Sequence, residues 1–113
     1  MIHWNDKEPI YVQIRDMIAS AIIDGSLAPG ETLPSVRAFS GDYQVNPITV
    51  SKAYQELVEL GAVAKRRGVG MFVCDNAGEL LLNTERGKFM RDEWPKLEKK
   101  LKRLGITLEE LLA

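Results

Sequence analysis

Apolar positions recur with a helical period through the first long segment of the chain, PIYVQIRDMIASAIIDG. Ile10, Ile14, Met17, Ile18, Ala21 and Ile22 form one stripe, the signature of an amphipathic helix. Pro9 suits a first turn and Gly25 a C-terminal stop, so the pattern predicts a helix from about Pro9 to Asp24. Pro29-Gly30 and Pro34 then break the period and predict a loop, with a short strand near Leu27. Ser35 is a favourable N-cap for a second, short helix through VRAFSGDY, in which Val36, Phe39 and Tyr43 can face a core.

The stretch QVNPITVSKAY, Gln44 to Tyr54, places a proline inside an otherwise helical pattern. Asn46 is a favoured cap, and Pro47 in the first helical position loses no hydrogen bond and has its φ already set. A third helix therefore starts here, runs to about Leu60 and ends at Gly61. Val50, Ala53, Tyr54, Leu57 and Leu60 make its apolar stripe. Ile48, Ser51, Lys52, Gln55 and Glu59 point away from that stripe, with Thr49 at its flank. Only Gln44-Val45 separates the second and third helices, the spacing of a helix-turn-helix. AVAKRRGVGMFVC next reads as two short strands joined by Arg67-Gly68-Val69-Gly70. Helix, helix-turn-helix and hairpin in this order predict a winged helix.

At Asp75-Asn76-Ala77-Gly78 the composition shifts, dividing the chain into a head at 1–76 and a tail at 77–113. In the tail Met90, Trp94, Leu97, Leu101 and Leu104 alternate steps of four and three, a heptad seam suited to pairing with another helix. Pro95 should kink or restart that helix near Trp94, and Gly105 should end it. Thr107 with Glu110 predicts a capping box for a last helix, Leu108 to Leu112. The fold class that follows is mainly α with a small β-hairpin, a winged helix-turn-helix followed by a short helical dimerisation tail.

Composition constrains function. The 113 residues suffice for one modest domain with an appendage, and 45% hydrophobic with 27% charged content describes an ordinary globular chain. Net charge is -1, with five basic and five acidic side chains in 31–76 and eight against seven in 77–113. Any DNA binding must then rest on a few well-placed cations. One cysteine, Cys74, and one histidine, His3, exclude an internal disulfide framework and a Cys/His zinc site. Cys74 lies in the apolar run MFVC and reads as a small buried hydrophobe. No stretch is long enough to span a bilayer and the N-terminus lacks a signal-peptide pattern, so a cytoplasmic location is expected. No catalytic constellation is present: His3 has no serine or cysteine placed to work with it, and Asp92-Glu93 and Glu109-Glu110 lie in helical, solvated segments. Neither an enzyme nor a cofactor is expected.

The sharper signals are for nucleic acid. The N-terminal end of the second helix of such a unit enters the DNA major groove, and its free N–H groups suit phosphates. Ile48 could meet a thymine methyl and Thr49 a phosphate or base edge, although a single exposed isoleucine is common on any surface. Arg37 opposes the helix dipole in its first turn, which suggests a contact outside the fold; a solvated arginine is the alternative. Lys65, Arg66 and Arg67 gather at a glycine-rich hairpin tip that could reach phosphates or the minor groove. The near-neutral charge leaves open a different use, a winged helix that binds another protein. The heptad seam could likewise pack back on the head or form a homodimer.

Leu-Pro-Ser-x-Arg (33–37), Val-Asn-Pro-x-Thr-Val (45–50), Ala-Tyr-x-x-Leu (53–57) and Gly-x-Gly-x-Phe-Val (68–73) follow one another in a familiar order and spacing. Residues 9–73 resemble the DNA-binding domain of GntR-type bacterial transcription regulators. The resemblance implies a homodimer on an inverted-repeat, double-stranded DNA operator, most commonly as a repressor. The helix at about 46–60 would lie in the major groove and the wing at about 62–74 at the minor groove. The candidate DNA-binding residues are Ser35, Arg37, Asn46, Pro47, Ile48, Thr49, Ser51, Lys52, Arg66, Arg67 and Gly68. The short tail, with Leu-Gly-Ile-Thr-Leu-Glu-Glu-Leu at 104–111, looks like that of the YtrA-type subfamily. There a pair of helices makes the dimer, and ABC transporter genes often lie nearby. A small-molecule effector is compatible with this pattern, but no residue cluster identifies one. Ser40-Gly41 departs from the helix-favouring residues usual in the family and predicts a short or frayed second helix.

Overall fold

Side-chain caps and prolines decide where this chain becomes helical. The structure, a computed structural model, describes residues 4–113; His3 lies outside them. Its elements are α1 (Ile10–Asp24), α2 (Val36–Tyr43), α3 (Pro47–Glu59), β1 (Val63–Arg66), β2 (Gly70–Val73), α4 (Ala77–Lys88), a π turn (Phe89–Glu93), α5 (Trp94–Leu104) and α6 (Leu108–Leu112). Ser35 Oγ accepts the Ala38 amide at 3.0 Å, and Asn46 Oδ1 accepts the Ile48 amide at 2.9 Å. Each cap satisfies an amide with no partner inside its helix, a contribution of about 1 kcal/mol. Pro9 takes the cap position of α1 rather than its first turn, so the helix starts one residue later than expected.

The first compact unit ends at Leu81. Ile14, Ile18 and Ile22 of α1 pack with Phe39 of α2, with Val50, Ala53, Tyr54 and Leu57 of α3, and with Val63 and Val73 of the hairpin. Ala77 and Leu81 of α4 are buried in the same core, so packing gives the first turns of α4 to this unit, beyond the compositional shift at 75–78. Three residues read as core-facing are exposed at the ends of their helices. Ile10 opens α1, Leu60 sits where α3 stops, and Tyr43 closes α2 with its ring 4.4 Å from that of Phe39.

The strand expected near Leu27 lies later in the chain. Leu27 packs against the core, and it is Thr32 that bridges Phe72 of β2. Bonds from the Gly30 amide to the Val73 carbonyl (2.8 Å) and from the Leu33 amide to the Met71 carbonyl (2.9 Å) cover the outer edge of β2. The intervening turn, closed by the Glu31 amide on the Ala28 carbonyl, moves the pairing segment past Pro29. α2 is short but not frayed, because the Ser40 hydroxyl donates to the Val45 carbonyl and ties its last turn to the link.

The second unit is Leu82–Ala113, and none of its residues is buried. Pro95 has no amide to donate, and its ring would clash with the Arg91 carbonyl in a continuous α-helix. The backbone resolves this with the π turn, in which the Trp94 amide bonds to the Phe89 carbonyl. α5 then restarts with Pro95 in its first turn and stops at Gly105. Thr107 and Glu110 form both bonds of the expected capping box.

Candidate nucleic-acid interface

Two helix starts and a hairpin tip carry the residues singled out for DNA. The link between α2 and α3 turns on Gln44, which adopts φ 56° and ψ 47°, a left-handed conformation unusual for a residue with a Cβ. Val45, next along, is buried and anchors the turn. Across the two helices, Tyr54 Oη donates to the Pro34 carbonyl at 2.7 Å. That carbonyl lies one residue before the Ser35 cap, so one hydrogen bond fixes the start of α2 against the middle of α3. Tyr54 is only 1% exposed; burial, aided by the nearby Tyr43, pushes its pKa up to about 12 and keeps it a neutral donor.

α3 is sharply two-faced. Val50, Ala53 and Leu57 are fully buried, whereas Ile48 is 78% exposed and Asn46, Pro47, Ser51 and Lys52 are also exposed; Thr49 is half-buried at the flank. No acidic residue occupies the first turn, so the positive end of the helix dipole is uncompensated. Ser35 and Arg37 are exposed at the start of α2.

The cations are held in different ways. Arg15 of α1 bonds Glu56 of α3 at 2.7 Å and Asp16 at 3.0 Å. Burial acts to lower its pKa, but these bonds outweigh it and hold it above the usual arginine value. Lys52 instead rests with Nζ 4.0 Å from the centre of the Tyr11 ring, and the Arg66 guanidinium lies 4.4 Å from that of Phe72. The hairpin register pairs Arg66 with Gly70, which makes Phe72 the diagonal neighbour of Arg66 on one face of the sheet. Lys65, Arg67 and Gly68 are exposed around the tip, where Gly68 at φ 80° and Gly70 at φ 101° take conformations closed to most side chains. Neither aromatic contact nor the Tyr54 bond was visible in the sequence. Among the described residues no group of His, Cys, Asp and Glu is arranged to hold a metal.

The profile for "Bacterial regulatory proteins, gntR family" matches residues 10–73, more than half the chain. The chain belongs to the GntR family. Two curated GntR-like relatives come from Bacillus subtilis (strain 168). The uncharacterised HTH-type transcriptional regulator YhcF is 37% identical over 96% of this chain and 88% of its own length. The HTH-type transcriptional repressor YtrA is 34% identical over 91% of this chain and 78% of its own. A GntR family transcriptional regulator from Listeria monocytogenes superimposes with a TM-score of 0.81 at 30% identity, covering 96% of this chain and 94% of that one. The DNA-binding domain of AraR in complex with operator ORR3 superimposes with a TM-score of 0.58 at 27% identity, over 66% of this chain and 89% of its own. This GntR chain is thus a transcription regulator with a winged-helix DNA-binding domain, and not an enzyme. Its similarities extend through the tail to the YtrA-type members of the family. None of its described helices is long and apolar enough to cross a membrane.

In the tail of this GntR regulator the seam residues remain open to solvent. Met90, Leu97 and Leu104 are exposed, and Trp94 and Leu101 are half-buried. Phe89, absent from the heptad reading, lines a groove of about 370 Å³ with Leu97, Glu93, Lys96 and Lys100. A π turn bonds each amide five residues back rather than four, so the phase of the seam shifts there and Phe89 moves toward the face that Leu97 shares. Pro95 was the only sequence signal of that shift.

Proposed function

We propose that this regulator is a repressor that binds an inverted-repeat operator as a homodimer, with α3 in the major groove and the β1–β2 wing at the minor groove. One observation carries the proposal: the two-faced α3, whose inner side is completely buried while its capped N-terminal half leaves Ile48, Ser51 and Lys52 exposed to solvent. On this reading Ile48 meets a thymine methyl, Thr49 and Ser51 reach phosphate or base edges, and the amides behind Asn46 and Pro47 face a phosphate. Arg37, with Ser35 beside it, approaches the backbone from α2, while Lys52, Arg66, Arg67 and Gly68 contact the flanking phosphates and groove. The operator complex of the similar AraR domain supports DNA as the partner, and the repressor YtrA supports repression.

Dimerisation is supported by the second unit, which buries none of its own side chains while exposing Phe89, Met90, Leu97 and Leu104. A second copy meeting Met90, Trp94, Leu97, Leu101 and Leu104 would cover that face. Two heads so joined would occupy half-sites about one helical turn apart. Footprinting on the protein's own promoter region tests the proposal. Two protected half-sites related by a dyad are expected, with affinity falling by orders of magnitude from low to moderate salt. A single unsymmetrical footprint, or binding indifferent to salt, would count against it.

A further inference from the structure

We propose that Tyr11 and Phe72 are positioning residues for DNA binding, each holding a DNA-facing cation on an aromatic face that does not cancel its charge. This rests on the reading of Lys52 and Arg66 as DNA contacts. Tyr11 comes from α1 and Phe72 from β2, so different elements supply the same device to the recognition helix and to the wing. Lys52 lies one turn beyond Ile48 on the exposed side of α3, and Arg66 is the last residue of β1 before the hairpin tip.

The choice of partner matters because a carboxylate would also order a cation, but at the expense of its charge. Arg15 illustrates this alternative: Glu56 and Asp16 hold it at 2.7 and 3.0 Å, and its positive charge is spent inside the fold. An aromatic ring attracts the cation through its quadrupole and leaves the positive charge whole for a phosphate. Lys and Arg carry some of the largest side-chain entropies, so a cation already confined loses less freedom when DNA arrives. Residues 31–76 hold only five basic side chains against five acidic ones, so each cation gains from being placed in advance. Tyr11 is partly buried against the core, which fixes its ring, whereas Phe72 is half-buried and is placed by the hairpin register opposite Ala64 and by its bridge to Thr32.

The test uses the full chain and a mixed-sequence duplex of about 30 base pairs at low salt, because phosphate contacts do not depend on sequence. Anisotropy titrations compare wild type, Tyr11→Phe, Tyr11→Leu, Lys52→Met and the double variant Tyr11→Leu/Lys52→Met, with melting curves to follow the fold. Tyr11→Phe keeps the ring and should bind as wild type, whereas Tyr11→Leu should weaken binding roughly two- to fivefold, the factor an exposed cation–π contact supplies. Lys52→Met should weaken it more and flatten the slope of log K against log salt by about 0.9 per head. Adding Tyr11→Leu to Lys52→Met should change nothing further, because Tyr11 acts through Lys52. A purely structural Tyr11 would give effects that multiply, and that result would overturn the proposal. So would Tyr11→Leu binding as wild type, or more tightly, while Lys52→Met binds weakly. Wild-type affinity for Lys52→Met would instead remove the DNA-contact reading of Lys52, and the proposal with it. If Tyr11→Leu does not fold, Phe72→Leu alone and with Arg66→Met decides by the same logic.

Discussion

Replacing Ile48 by Asp separates folding from DNA binding in this regulator. Ile48 is 78% exposed, so its removal takes little from the core, and a surface change of this kind stays within about 0.5 kcal/mol. The new carboxylate would sit in the first turn of α3, where no acidic residue meets the positive end of the dipole, a gain of about 0.3–1 kcal/mol. The melting temperature should therefore hold or rise by a few degrees. On DNA the same change loses the burial of an isoleucine, up to about 1.5–3 kcal/mol. It also sets a negative charge near phosphates; at about 7 Å and an effective dielectric of 20 that repulsion is roughly 2 kcal/mol. Each head would lose about 3–5 kcal/mol, at least a hundredfold in affinity. Ile48→Ala, which lacks the repulsion, should lose up to about 2.4 kcal/mol, roughly fiftyfold, at about 0.8 kcal/mol for each of the three carbon groups removed. Anisotropy titration of the footprinted operator and a thermal melt measure both sides. Wild-type affinity for Ile48→Asp would refute the placement of α3 in the groove. A melting temperature many degrees lower would show Ile48 to be part of the fold.

Tyr54→Phe leaves the part-buried Pro34 carbonyl without its donor, a loss of about 1 kcal/mol. Because the folded pKa of Tyr54 is about 12 against an ordinary 10.0, its contribution is complete below pH 10 and fades as pH rises toward 12. The stability difference between wild type and Tyr54→Phe, from urea melts, should shrink over that window; a gap that is constant or widening there would contradict the assignment. Gln44→Gly removes the strain of a left-handed residue, and despite losing the bond from Gln44 Nε2 to the Gly41 carbonyl it should stabilise by up to about 1 kcal/mol in denaturant unfolding. A destabilised variant would mean that the side chain matters more than the backbone. Leu101→Glu places a charge in the proposed helix seam and should shift sedimentation from dimer toward monomer at micromolar concentration while leaving the melt of the head in place. Unchanged sedimentation would remove the seam from the interface.

What the sequence revealed follows the range of each interaction. The caps at Ser35, Asn46 and Thr107 were legible because each side chain bonds an amide two or three residues ahead. The inner face of α3 was legible because burial repeats with the helix, and only Leu60, at the end, escaped that rule. The Leu27 strand failed because pairing depends on the partner, and β2 takes Thr32 after the chain has turned past Pro29. Lys52 on Tyr11 and Arg15 on Glu56 join residues 41 apart, and Tyr54 reaches back 20, distances over which no local pattern speaks. Arg66 on Phe72 is nearer in sequence but requires the hairpin register, which the three turn residues Arg67, Gly68 and Val69 do not fix by themselves. Pro95 announced a disturbance in the tail, yet not that a π turn would absorb it and bring Phe89 toward Leu97.

Net charge is a poor guide to what this molecule offers DNA, because charges of the two signs are put to different uses. In the first unit Asp16 and Glu56 bind Arg15, Asp24 accepts from the Ser26 amide at 2.8 Å, and Glu31 accepts from the Ala28 amide at 2.8 Å. Four carboxylates thus serve turns and a helix contact, and two of them, Asp16 and Glu56, are paired with a cation. Among the described residues of that unit, Arg15 is the only cation in an ion pair. Arg37, Lys65 and Arg67 meet no carboxylate, and Lys52 and Arg66 meet only aromatic rings. At an ionic strength near 0.15 M, charges more than about 8 Å apart scarcely feel one another, so the local arrangement outweighs the sum. A head with as many acids as bases in residues 31–76 therefore still keeps five cations outside any ion pair, Arg37 on α2, Lys52 on α3 and Lys65, Arg66 and Arg67 on the hairpin.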